Sequence, residues 1–540
     1  MRALDWVVLV ASMAGIVLYG LWKGRRTRDL DDFLVADRAM RWHHVALSVM
    51  ATQASAITFL STPGQAYADG MRFVQFYLGL PVAMVVLAAT AVPVYHRLKV
   101  YTAYEYLEGR FDLKTRTLAA ALFLIQRGLG AGFTIYAPSL ILSALMGWDI
   151  RLVVLVLGGT VTLYTALGGA RAVDNTNFQQ MLIIMGGMLV AFLTIVWLLP
   201  ADVSFTEALS VAGKSGRLEA VDFSFDVKSQ YNFWSGLVGG CFLALSYFGT
   251  DQSQVQRYLC GASVAQSRLG LLFNGLAKVP MQFFILFIGA MVFAFYQFTA
   301  PPVFFNPVEV EKVRRGPRAA EFAALEAEHA GAVEARAREA RRVVEAARSG
   351  DGRAEAEAAE ALRAAQERAR GVRERVAGLM KAEDPGANTN DTNYVFLTFV
   401  TRYMPAGVVG LVLAAVFFAS MSSSASELSA LASTTVVDIQ RRLFRRDRGE
   451  RYFLISSKLA TLFWGLFAMA FAEYAGQLGS LVEAVNRLGS LFYGTILGIF
   501  LLAFYFKRVG GTAAFAGAGA GEAVVLYCFF RTEIAYLWFN

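Results

Sequence analysis

Long apolar runs alternate with short polar ones along most of this chain. Runs close to the roughly 20 residues that a helix needs to cross a bilayer lie near 5–22, 44–66, 73–95, 117–145, 150–167, 178–199, 233–251, 268–298, 403–430, 453–473, 480–504 and 512–530. They predict about twelve membrane helices. A β-barrel would show short segments of alternating hydrophobicity instead. The first run, "DWVVLVASMAGIVLYGLW", lacks the basic leader and small-residue cleavage site of a signal peptide, so it is expected to stay as a helix. The last residues, "AYLWFN", read as the entry to one more helix.

One region departs from this pattern. Residues 308–383 are dominated by Ala, Glu and Arg, as in "ARAREARRVVEAARSGDGRAEAEAAEALRAA". These are strong helix formers, and "SGDG" at 349–352 is a turn between two of them. Apolar positions such as Leu325, Val333, Val343 and Val344 are sparse. The expectation is a solvated antiparallel hairpin, an insertion at 305–390 with no transport role. Docking of an unknown partner is the lesser alternative.

Composition places the chain in a membrane. It has 540 residues, 56% hydrophobic and 17% charged, with a mean hydropathy of +0.46. The net charge of +8 matters through its distribution. Basic clusters ("KGRRTR", "HRLK", "GRFDLKTR", "RRLFRRDRGER", "FKR") fall in loops that alternate consistently, which puts them on the cytoplasmic side. The N-terminus, 200–232, 300–402 and the C-terminus are then extracytoplasmic, in an inner or plasma membrane. The three cysteines, Cys241, Cys260 and Cys528, give no disulfide pattern. No Walker A stretch argues for ATP-driven transport, and the absence of HExxH with only four histidines argues against a zinc enzyme. "GAGAGE" at 517–522 lies in a membrane run and reads as helix packing. The chain reads as no enzyme; its expected partners are a small solute and the lipid bilayer, with no nucleic acid.

Two stretches carry unusual polarity for membrane helices. "VVGLVLAAVFF" runs directly into "ASMSSSASELSALASTTVVD", residues 419–438. Ser422, Ser426, Ser429 and Ser433 fall on one helical face, with Ser423 one step round. Hydroxyl oxygens are hard ligands that suit a hard cation such as Na⁺; close packing of small residues is the alternative. "SVMATQASAITFLSTPGQAYADG", residues 48–70, interrupts another run with Thr52, Gln53, Ser55, Thr58, Ser61, Thr62 and "PG". An unwound helix there would free carbonyls to hold an ion; a Pro-kinked helix with back-bonded hydroxyls is the alternative.

Together these stretches resemble the sodium:solute symporter family. "YTAYEYLEGRFDLKTR" (101–116) resembles its cytoplasmic loop, "YFGTDQSQVQRYL" (247–259) the end of its sixth core helix, and "VEAVNRLGSLFYGTILGIFLLAF" (482–504) its tenth. The resemblance covers nearly all of the chain outside 305–390. "SAITFLSTPGQAY" is most similar to the branch that carries monocarboxylates, vitamins and iodide. It implies an all-α, LeuT-type 5+5 inverted-repeat core with one extra N-terminal helix and at least one extra C-terminal helix. The domains would be 1–42, an N-terminal helix and loop; 43–199, the first repeat; 200–232, an outer loop; 233–504, the second repeat, interrupted by the insertion; and 505–540, a C-terminal helix.

The resemblance also implies site residues. Sodium would be held by the carbonyls of Ala51, Ala54 and Ala419 and the hydroxyls of Ser422 and Ser423. Solute would meet Ser55, Thr58 and Ser61, with Phe73, Tyr77, Tyr247 and Asn486 as further candidates and Tyr247 as an inner gate. Two cations lie deep in apolar runs: Arg127, ~15 Å from its helix start at 1.5 Å per residue, and Lys278. Arg127 could hold a carboxylate through paired hydrogen bonds. Lys278 matches a polar-contact position of sugar-carrying relatives. For either, an internal salt bridge is the alternative, with Glu427 a candidate partner. Some relatives bind a second sodium with an Asp where this chain has Asn177, and with hydroxyls where it has Ala425 and Ser426. One Na⁺ per solute is therefore expected. The functional expectation is a sodium-coupled symporter importing a small organic solute, a monocarboxylate or related anion by preference. A sugar or polyol symporter is the alternative, and a transporter-like sensor the rival from another class.

Overall fold

The computed structural model describes residues 1–24, 29–444, 448–475 and 481–539. Parts of the basic runs 23–28 and 441–451, and the start of the run 480–504, lie outside the described residues. Among the described residues nine helices are long and apolar enough to cross a membrane, or ten with one bent pair counted as a single span. In chain order the elements used below are α1 (Ala3–Gly24), α2 (Trp42–Gln53), α3 (Ala56–Asp69) and α4 (Met71–Leu98). Then come α5 (Leu113–Met146), α6 (Ile150–Trp197), α7 (Gly240–Gly249) and α8 (Val264–Phe298). The hairpin is α9 (Ala319–Ser349) and α10 (Gly352–Glu383). The last four are α11 (Val408–Thr434), α12 (Glu450–Ala475), α13 (Leu481–Tyr505) and α14 (Gly511–Arg531).

The runs 150–167 and 178–199 belong to one element, the 48-residue α6. At 1.5 Å per residue it is ~72 Å long, more than twice a ~30 Å hydrocarbon core. Gly169 divides it, with φ 57° and ψ −165°. Only glycine suits that backbone, because a Cβ there would also come within 2.6 Å of the Phe33 ring. α6 therefore supplies two crossings.

Two other crossings are broken. α2 and α3 meet at 60° across Ala54 and Ser55. α7 stops at Gly249, and a new helix, Gln252–Leu259, starts from Asp251 as its N-cap. Each break opens a set of five crossings: α2/α3, α4, α5 and the two parts of α6, then α7 with 252–259, α8, α11, α12 and α13. α11 runs through the centre, buried on all sides, and packs on α5, α6 and α12. α1 and α14 flank the bundle and turn Leu18, Val524 and Phe530 outward, as lipid-facing helices do.

The hairpin corrects the expectation of a solvated projection. α9 and α10 pack along each other, and α9 also lies on α8 and on the helix Phe205–Lys214. Ala340, Val343, Val344, Ala358 and Leu362 are buried in the same apolar cluster as the membrane body. Phe322, Val376 and Met380 form a second cluster with Val303 and Phe304. Ion pairs Arg348–Glu207 (2.6 Å), Lys214–Glu355 (3.2 Å) and Arg341–Asp202 (3.2 Å) ring the seam. Many of its buried positions are alanines, which a count of large apolar residues overlooks.

Candidate ion and solute site

The break between α2 and α3 releases backbone oxygens. In a continuous helix the carbonyls of Ala51 and Thr52 would accept from residues 55 and 56. Here the Ser55 N–H donates to Gln53 (3.0 Å) instead, and Ala54 leaves the helical region at ψ 74°. The freed oxygens face α11. Ser422 Oγ donates to the carbonyls of Ala51 (3.1 Å) and Ala419 (3.0 Å). Ser423 Oγ lies 2.9 Å from the Thr52 carbonyl and 3.4 Å from that of Ala51. Five neutral oxygens from two elements thus gather in a buried spot, a donor set that suits a hard monovalent cation. Ala54 is buried at the break, but neither serine hydroxyl donates to its carbonyl. The Thr52 carbonyl, absent from the sequence expectation, accepts from Ser423 there.

The solute candidates gather beside it. A cavity of about 110 Å³ is lined by Ser55, Thr58, Phe73, Tyr77, Arg127, Tyr247 and Asn486. Thr52 and Gln53 also line it, so the ion spot and the cavity share a wall. Ser55 is the N-cap of α3 but makes no capping hydrogen bond, so the positive end of that half-helix opens toward the cavity. Tyr247 accepts from Gln254 (2.8 Å) and its ring stands 5.8 Å from that of Tyr493.

Two expected solute residues lie elsewhere. Ser61 is fully buried and absent from the cavity wall, further along α3. Lys278 is also fully buried and off the cavity; its Nζ lies 5.9 Å from the centre of the Tyr77 ring, one side chain removed from the solute space. Lys278 therefore does not line the cavity.

Arg127 reaches the cavity but is already engaged. Its guanidinium donates to Glu427 (3.0 Å), to Tyr493 Oη (2.7 Å) and to Asp251. Tyr493 in turn donates to Asp251 (3.1 Å), and Thr134 to Glu427 (3.0 Å). Two carboxylates thus face one guanidinium, the internal salt bridge that was the sequence alternative. Glu427 was legible as a partner. Asp251 was missed, although an Asp directly before a helical run is an N-cap signal, and a cap inside an apolar segment marks a break.

A broken helix whose freed carbonyls meet hydroxyls of a central helix, beside a small cavity inside the helix bundle, is the arrangement of a secondary transporter with an ion site next to a solute site. A family model described as "Sodium:solute symporter family" matches residues 33–326 and 374–521, and the chain belongs to that family. It is thus a multi-pass membrane protein and a sodium-coupled solute symporter, not an enzyme, and Na⁺ is its coupling ion. It is 27% identical to the human sodium/iodide cotransporter over 97% of this chain and 69% of that one. It is 27% identical to the mouse sodium-coupled monocarboxylate transporter 2 over 96% and 71%. A solved Na⁺-coupled sialic acid symporter, in a substrate-bound outward-open state, matches with a TM-score of 0.76 at 22% identity, over 100% of this chain and 94% of that one. The fold is accordingly the LeuT type.

Proposed function

We propose that the chain imports a small organic anion, a monocarboxylate or close relative, with one Na⁺ per solute. Sodium is held by the carbonyls of Ala51, Thr52 and Ala419 and the hydroxyls of Ser422 and Ser423. The observation that carries this reading is the shared wall: Thr52 contributes its carbonyl to the oxygen cluster and also borders the cavity. Sodium there fixes the break, and with it Ser55 and Thr58, the solute contacts on α3. Ion and solute then favour one another reciprocally. At −100 mV one entering charge adds ~2.3 kcal/mol of drive before any concentration gradient. The positive end of α3, open toward the cavity at Ser55, favours an anion. The anions named for the matched relatives (iodide, monocarboxylates, sialic acid) support the same class. The hairpin and N-terminus are extracytoplasmic by the loop-charge rule.

A neutral polyol is the second reading. It is favoured by the compensation of Arg127 by Glu427 and Asp251, which leaves hydroxyls and amides as the free cavity groups. The test is uptake into proteoliposomes under an inward Na⁺ gradient, comparing pyruvate and lactate with neutral polyols. Sodium-dependent uptake of polyols alone would replace the first reading by the second.

A further inference from the structure

A second cavity, about 600 Å³, lies between the hairpin and the outer ends of α3 and α8. One wall comes from the hairpin, much of it within 327–373, the stretch outside the family match. Five arginines face this space against only two carboxylates. Arg336 and His329, both from α9, are 6% and 4% exposed. Arg336 donates one N–H to the Tyr296 carbonyl, but its Nε and His329 Nε2 have no hydrogen-bond partner among the described residues. Arg217 Nε is likewise unpartnered, and its guanidinium lies 4.9 Å from the centre of the Phe293 ring.

Asp69, in the adjoining opening, lies near Arg217, but no carboxylate of the cavity wall is bonded to Arg336 or His329 among the described residues. Asp391 is taken up by Arg373 (2.8 and 3.0 Å) and by the Phe305 N–H (2.7 Å). Glu367 sits at 3.4 Å from Arg370. Burial pushes the Arg336 and Arg217 guanidiniums below their usual range and His329 down to about 4, so His329 is neutral near pH 7. The unpartnered Arg336 and Arg217 N–H groups are buried donors without acceptors, which is costly, and an anion is the ligand that removes that cost; His329 can add a donor from Nε2 in that tautomer. The cavity also adjoins two others. It shares Ala68, Ser215, Arg217 and Arg370 with an adjoining opening of about 570 Å³, and that opening shares Phe73 with the solute cavity.

We propose that the hairpin cavity is an anion-binding antechamber, which holds a small carboxylate beside Arg336 and His329 before it passes Arg217 and Phe73 to the solute site. The identification of that anion with the transported solute rests on the proposed function; the anion site itself does not. The probe is pyruvate, titrated calorimetrically into the full-length protein in nanodiscs, in choline buffer without sodium, where the solute site lacks its coupling ion. The expected result is sodium-independent binding, weakened five- to tenfold in Arg363→Gln/Arg370→Gln and nearly lost in Arg336→Gln. Arg363 and Arg370 are exposed, so that double variant keeps the test valid if Arg336→Gln fails to fold. In sodium-driven uptake the double variant should raise KM for pyruvate and leave kcat unchanged. No pyruvate binding in choline, binding of sulfate alone, or binding unaffected by Arg363→Gln/Arg370→Gln would overturn the antechamber. Sodium-free pyruvate binding without sodium-driven uptake would uphold the anion site and overturn the carboxylate-symport reading.

Discussion

Arg257 Nη1 lies 2.6 Å from Asp174 Oδ1, and both side chains are buried within the bundle. Ser48 donates to the same carboxylate oxygen at 2.6 Å, and the Asn177 amide reaches Ser48 (3.2 Å) and Ser426 (3.5 Å). Thr52 and Ser426 hydroxyls are 3.0 Å apart, so this polar cluster adjoins the proposed sodium site. Its one carboxylate already has a resident guanidinium. A second buried cation would therefore lack an opposing charge, which a low-dielectric site makes expensive.

Transport is thus expected to couple one Na⁺ to each solute: electrogenic by one charge for a neutral solute, electroneutral for a monoanion. Reversal potentials in proteoliposomes at several sodium ratios measure this directly. A fitted coupling of two would mean that the Asp174–Arg257 pair opens to admit an ion.

Replacing Ser422 or Ser423 by Ala removes one oxygen from the cluster around Ala51. A hydrogen-bond-sized loss of ~1 kcal/mol raises the half-saturating sodium concentration about fivefold. Solute affinity at saturating sodium should change less. Unaltered sodium dependence in the double variant would remove both serines from the ion site.

Arg127→Gln leaves Glu427 and Asp251 buried without their cation. Breaking such a pair costs ~3–5 kcal/mol, so poor folding is expected with every solute. Arg127→Gln/Glu427→Gln should recover part of the thermal stability, since one stranded charge goes as well. If the single variant instead folds normally and loses anions while sparing neutral solutes, Arg127 contacts solute directly.

Deleting about 310–382 strips the cover from α8 and the helix Phe205–Lys214, and the shortened protein should unfold at lower temperature. Leu362→Ala tests the seam more gently. Leu362 is fully buried in the cluster shared with the membrane body, and a Leu→Ala cavity costs ~2–5 kcal/mol. A melting curve identical to that of the unaltered protein would return the hairpin to the solvated projection expected from its composition.

The sequence alone determined the parts of this protein that depend on local physics. About 20 apolar residues must form a membrane helix, because unpaired backbone is too costly in lipid. Interruption by Ser, Thr, Gln and Pro-Gly marked the α2/α3 break. Serines at helical spacing marked the face of α11 that meets it. Seven of the nine solute candidates line one cavity because resemblance carried positions that the fold then gathers. What remained depended on partners distant in sequence. Ser423 meets the Thr52 carbonyl across 371 positions, and no local pattern announces which carbonyl a break releases toward a hydroxyl. Arg127 reads equally as a solute ligand or a bridge until Asp251 and Glu427 are placed around it. Lys278 and Ser61 carry suitable chemistry, but helix rotation turns them away from the solute space. The alanine-rich faces of α9 and α10 bury little area per residue, so only their docking on α8 shows that they are a core surface, and that it encloses a cationic cavity. Helix identity is written in nearest neighbours; charge compensation and cavity walls are set by which helices come to lie side by side.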